Sequence, residues 1–261
     1  MKLLALIIAY LVSHVISKPV RFRNFKWYEY WKIWFLDKSY FKHQELNLLI
    51  TIFIPIVIIC LLIDVMTSSM VGSLLASILV LAYCIGPESL EEDVESGDIR
   101  SQLSINKEAE VSTLIKKMTE VSLKRWFGVF FWYIILGIFG ALMYRLAERH
   151  DLLTKDNDLG KASINALIKI LNYPVAWMMV VSLSIASDFE RVLKKCKPFM
   201  NLDNMKKLDT TFLYESTDFA VEICEVDDDN KQSIEKITLS VLKRMLLVWL
   251  VFVSIFVIFA N

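Results

Sequence analysis

Two sets of side chains in this sequence have the types and spacing for chemistry. The first is the run Glu88, Glu91, Glu92, Asp93, Glu95 and Asp98. On a helix Glu88, Glu91, Glu92 and Glu95 share one face, where carboxylates would hold magnesium and, through it, a nucleotide phosphate. The plainer reading is a solvated charged face. The second is Arg145, a cation at the edge of a long apolar stretch. A guanidinium fork suits a carboxylate or phosphate, and the plainer reading is a side chain snorkelling to lipid headgroups. Asp227-Asp228-Asp229-Asn230 lacks the glycine and distal glutamate of an EF-hand and reads as a solvated turn or helix start. Cys60, Cys84, Cys196 and Cys224 form no CxxC pair and have no histidine at metal spacing, so free thiols and no metal centre are expected. No P-loop, GxGxxG, GxSxG or HExxH occurs, which excludes the standard nucleotide-binding and hydrolase domains. Formal net charge is zero, and nothing argues for nucleic acid.

The elements that must position these residues are apolar helices. Trp126 to Arg145 reads WFGVFFWYIILGIFGALMYR, uncharged up to Tyr144. A helix rises about 1.5 Å per residue, so roughly 20 such residues cross a hydrocarbon core of about 30 Å. This stretch is expected to be a transmembrane helix. Six apolar segments are expected in all, at 3–17, 47–65, 69–86, 126–144, 171–186 and 245–260. The first carries Lys2 and an apolar core, like a signal peptide. Ser13-His14-Val15-Ile16 offers no small-x-small cleavage site, so a retained short helix is expected. Residues 162–171 read as an amphipathic lead-in to the fifth segment. Hydrophobic residues make up 56% of the chain and charged residues 22%, which is apolar spans joined by charged loops. Together these predict an all-α polytopic membrane protein. It should have about six membrane helices (four to six), with cytoplasmic amphipathic helices, in a single integral-membrane domain over 1–261.

Basic residues set the expected orientation. Twenty-three of the 29 lysines and arginines fall in 18–46, 87–125 and 187–244. The positive-inside rule makes these the cytoplasmic loops and puts both termini outside. In the first loop Trp27, Tyr30, Trp31, Trp34 and Phe35 recur on one helical face, with Lys26, Glu29 and Lys32 toward the other. They read either as an interfacial helix against the lipid bilayer or as core packed on the spans. Ionisable residues are nearly absent from mid-span positions, and no inverted repeat is visible, which disfavours a transporter.

Phe131-Trp132, then Leu136 to Arg145 (LGIFGALMYR), resembles the AmpE inner-membrane proteins, whose stretch ends FW…LGpxGALLYRL. That group is related to the CobD/CbiB family of cobalamin biosynthesis. Ile170 to Val175, Asp188-Phe189-Glu190, Tyr83 to Gly86 and Gly97-Asp98 are similar to AmpE segments in the same order. The enzyme family's ESLAENxxDG stretch falls on Lys116 to Arg125. There Glu120 takes the glutamate position and Lys124 stands for the aspartate, and the asparagine and glycine have no counterpart. Asp151 matches an aspartate of that family, Glu148 replaces its asparagine, and its C-terminal SPN stretch is missing. The resemblance implies a multi-pass protein of a bacterial inner membrane with no catalytic residue. It would be a binding or signalling modulator linked to cell-wall recycling and β-lactamase induction. The implied partners are a small ligand at the cytoplasmic face or a cell-wall-recycling protein. Glu120, Lys124, Tyr144, Arg145, Asp151 and Asn172 are the implied ligand-binding candidates. The alternative it implies is an ATP-dependent amide-forming enzyme on another substrate, with magnesium-nucleotide as its only cofactor.

Overall fold

The computed structural model describes residues 2–15, 25–37, 44–67, 69–85, 90–106, 109–155, 160–199, 206–226 and 233–259. Glu88, the aspartates at 227–229 and Lys18, Arg21, Arg23, Lys38, Lys42 and Lys107 lie outside them. All regular structure among the described residues is helical. The chain forms two compact units, Met1–Glu88 with Gly128–Leu171 and Ser89–Phe127 with Asn172–Asn261.

The first unit holds α1 (Lys2–Val15), α2 (Lys26–Asp37), α3 (Gln44–Met66) and α4 (Met70–Cys84). α4 starts where the Ser69 hydroxyl accepts the Gly72 N–H at 3.0 Å, a serine N-cap. α3 contains Pro55, which has no N–H to give the Thr51 carbonyl four residues before it. The Trp31 indole N–H fills that position at 2.9 Å, so a proline in one helix creates the acceptor that docks another.

The fourth expected span is not one helix. Leu123–Phe127 forms a π-helical turn at the end of the second unit's part of the chain, α8 runs Gly128–Leu136, and α9 runs Ile138–Leu152. Between them Gly137 has φ +68 and ψ −149, a conformation essentially reserved for glycine. The chain reverses there. A Cβ on Gly140 would overlap the Trp132 carbonyl oxygen, and one on Gly128 would overlap the Tyr144 ring. In a straight helix residues 128 and 144 would stand about 24 Å apart. Here they touch, so the stretch is a helical hairpin closed on glycines. This corrects the expectation for 126–144. It also corrects the expected topology, because Tyr28, assigned to one side of the bilayer, lies 2.9 Å from His150, assigned to the other.

Among the described residues three helices are long and apolar enough to cross a membrane, Glu45–Met66, Lys161–Ala186 and Ile234–Ile255, against about six (four to six) expected. Lys2–Val12 and Met70–Cys84 are shorter apolar helices. α10 (Lys161–Ala186) runs through Pro174, so the expected amphipathic lead-in and span are one continuous helix.

The second unit is built from α5 (Leu90–Glu95), α6 (Ile99–Gln102), α7 (Val111–Ser122), the C-terminal part of α10, α11 (Phe189–Cys196), α12 (Thr211–Val226) and α13 (Ile234–Phe259). α7 is amphipathic at helical spacing, with Leu114, Ile115, Met118, Thr119 and Ser122 buried against α12 and α13. Trp177 stacks on Phe212 at 4.6 Å, and Phe127 meets Trp249 edge-on. Ion pairs Arg100–Glu235 (3.2 Å) and Lys243–Glu91 (2.9 Å) tie α6 and α5 to α13.

Candidate functional site

The polar residues of the first unit gather along the last two turns of α9. Their types follow from its sequence, where Tyr144-Arg145 is followed by Glu148-Arg149-His150-Asp151 at helical spacing. Arg145 and Glu148 form an ion pair one turn apart, with side chains only 4% and 11% exposed. The Arg145 guanidinium lies 5.7 Å from the Phe25 ring and that of Arg149 5.3 Å from the same ring, so two arginines flank one aromatic. Phe25 packs on Tyr83 at 4.5 Å, and Tyr83 accepts the Trp27 indole N–H at 2.8 Å. Arg145 Nε is buried and makes no hydrogen bond among the described residues.

One turn further on, His150 Nδ1 and the Tyr28 hydroxyl share a hydrogen bond of 2.9 Å. Burial, then the neighbouring Lys32 charge, push the His150 imidazole down to about 3, so it is neutral at physiological pH. Burial also drives the Tyr28 hydroxyl well above its ordinary range. Lys32 is 7% exposed, and its Nζ donates to Thr154 Oγ1 at 2.7 Å and to the His150 carbonyl at 3.4 Å. Lys161 Nζ donates to Asp151 Oδ1 at 3.0 Å and to the Asp151 and Thr154 carbonyls at 3.2 Å. The His150 and Asp151 carbonyls are among the last of the helix, which have no intrahelical donor, and Thr154 lies just past its end. Two lysines therefore cap α9, where cations also oppose the helix dipole.

In the second unit Glu120 pairs with Lys124 at 2.7 Å and Lys117 at 3.6 Å. Burial tends to raise its carboxyl, but the two lysines outweigh it and hold the group below the usual range. Glu120 is therefore an anion at neutral pH and a poor proton donor. Lys116 lies 5.4 Å over the Tyr214 ring. Among the described residues no three of His, Cys, Asp and Glu are grouped as a metal would need. The free thiols are buried at Cys84 and Cys196, and Cys196 Sγ lies 2.9 Å from Ser216 Oγ.

The six ligand-binding candidates thus divide. Tyr144, Arg145 and Asp151 are in the first unit; Glu120, Lys124 and Asn172 are in the second. Tyr144 is fully buried against Gly128, not an interfacial anchor. Arg145 is buried and paired, not snorkelling. Asp151 serves the helix end. Sequence reasoning missed Tyr28, Lys32, Glu148 and His150. By spacing Lys32 falls toward the side of α2 away from its aromatic neighbours, which dominate the pattern. The readable signal was the pair Tyr28 and Lys32 at i, i+4 on the face opposite Tyr30. Of the five aromatic residues expected at the membrane interface, Trp27, Tyr30 and Trp34 are exposed, Trp31 is half-buried and Phe35 is buried.

Comparison of the chain with protein-family models, with curated proteins and with solved structures returns no match.

Proposed function

We propose that this is a non-catalytic inner-membrane protein of the AmpE type, which binds a small anionic ligand and signals its presence to a cell-wall-recycling partner. Its link to β-lactamase induction rests on the resemblance around Leu136–Arg145. The observation that supports ligand binding is Arg145. A buried arginine in a membrane protein is costly and tends to mark function. This one spends one arm of its fork on Glu148 and keeps Nε free of hydrogen bonds among the described residues. The unused edge suits a carboxylate or phosphate.

The test is a melting screen of the purified protein in detergent, with muropeptides and nucleotides as probes. The expected result is a rise in Tm with one of these anions, lost in Arg145→Gln and weakened in Arg149→Gln. A screen in which no anion shifts Tm contradicts the reading. Substrate-dependent release of ADP or AMP, abolished by Glu120→Ala, would establish the amide-forming alternative instead.

A further inference from the structure

Helix α2 meets three other helices of the first unit. Trp31 donates to Thr51, two turns into α3. Trp27 and Phe25 meet Tyr83, the penultimate residue of α4. Tyr28 and Lys32 reach His150 and Thr154, at the end of α9. These contacts use the face that buries Tyr28, Lys32 and Phe35. Beside it Trp27, Tyr30 and Trp34 follow at i, i+3 and i+7 and are 37%, 72% and 49% exposed. Asp37 follows Tyr30 at i+7 and Lys26 precedes it at i−4, so these two charges border the Tyr30 edge of that flank, and Glu29 lies further round. Trp31 borders the opposite, Trp27 edge, and it is bonded to α3, whose outer wall is Leu49, Ile54, Val57, Ile58, Leu61 and Leu62, all exposed. Aromatic rings adjoining an apolar wall at the end of a membrane helix match the chemistry of the headgroup boundary.

The hairpin stops short of the far end. α8 has nine residues, about 13 Å, less than half of a hydrocarbon core. Near its tip Phe139 meets Phe53 at 5.8 Å, and Tyr133 is hydrogen-bonded to Ser77. Ser77 lies about 10 Å along α4 from its α2 end, whereas Phe53 lies only about 3 Å further along α3 than Thr51, where Trp31 docks. The tip residues Ile135 and Leu136 are exposed and apolar. Lys2 Nζ covers the Ile134 carbonyl at 3.1 Å, one of the last carbonyls of α8.

We infer that one lipid leaflet is the partner of this surface. Helix α2 lies in its headgroup boundary with Trp27, Tyr30 and Trp34 against the acyl chains. The Gly128–Leu152 hairpin re-enters the same leaflet from the same side and turns back inside the bilayer, while α3 crosses. The test uses the full chain with its four cysteines replaced, reconstituted in phosphatidylcholine–phosphatidylglycerol vesicles. A fluorophore on Tyr30→Cys should be quenched several-fold more by nitroxides near the headgroup than by nitroxides near the acyl-chain ends. A fluorophore on Ile135→Cys should show the reverse order. An impermeant thiol reagent should reach Glu29→Cys and Lys155→Cys from one side and Met66→Cys from the other. Protection of the Tyr30 probe from both quenchers would mean that a second copy or another protein covers the flank, and overturns the inference. Lys155→Cys labelling from the Met66 side overturns it equally, because the hairpin would then cross.

Discussion

The Arg145 cluster of the first unit and the Glu120 and Arg100 pairs of the second hold their charges in opposite ways. In the first, Arg145, Glu148, Lys32 and His150 are all under a tenth exposed and are held by one another, by a ring face and by helix-end carbonyls. In the second, Glu120, Lys117, Lys124, Arg100 and Glu235 pair with side chains 22–50% exposed. Solvent screens such pairs, and each is worth about 1 kcal/mol or less. Buried pairs behave differently. The intact pair adds little net stability, yet removing one partner strands a charge at about 3–5 kcal/mol. The same residue types are thus dispensable in the exposed pairs and indispensable in the buried cluster.

The largest expected effect follows directly. Glu148→Ala should destabilise the protein by about 3–5 kcal/mol, while Glu120→Ala costs about 1 kcal/mol or less. Thermal denaturation in detergent measures both. Replacing the pair together, Arg145→Met with Glu148→Leu, should recover much of the loss. Equal losses for the two glutamates would erase the contrast.

Next in size is the hairpin. Gly140→Ala drives a methyl into the Trp132 carbonyl and should cost about 1–3 kcal/mol. Gly160→Ala has no atom within reach of its Cβ and serves as the control, with an unchanged Tm.

The sequence made the helical class and the apolar character legible, because apolar length and composition are local properties. The hairpin was not legible. Residues 126–144 have span length and no charge, and two glycines separated by Ile138 and Phe139 pass as ordinary members of an apolar helix. Only the positive φ at Gly137 and the close approach at Gly140 reveal the turn. The candidate site was half legible. Tyr144 and Arg145 stood out at the edge of the stretch, but Lys32 and Tyr28 come from more than a hundred positions away. No periodicity within α2 announces which face meets α9. The role of Pro55 was not legible either, since it acts by freeing a carbonyl for Trp31, an effect felt outside its own helix.

A pH series sharpens the comparison further. His150 has a folded pKa of about 3 against an ordinary 6.5, so between these values the unfolded chain binds a proton that the folded one refuses. Stability should therefore fall as pH drops below 6.5, by up to about 1.4 kcal/mol per pH unit, and level off near 3. His150→Gln should remove that slope. Glu120, with its carboxyl held low, contributes stability present above pH 4.5 and lost only as pH falls through its folded value, a lower window. Denaturation midpoints recorded across pH 4.5–6.5 isolate the histidine. The smallest effect is expected for Pro55→Ala, which returns an intrahelical donor to Thr51 and releases the Trp31 indole. The shift should be about 1 kcal/mol or less, with a change in tryptophan emission.

The fold of the first unit depends most directly on the hairpin bringing the end of α9 back to α2. Spin labels on Glu29→Cys and Lys155→Cys, both exposed, in bilayer-embedded protein give that distance by pulsed dipolar spectroscopy. A separation well below the roughly 30 Å of a hydrocarbon core is predicted. A separation at or beyond that thickness would place the two residues on opposite sides and contradict it.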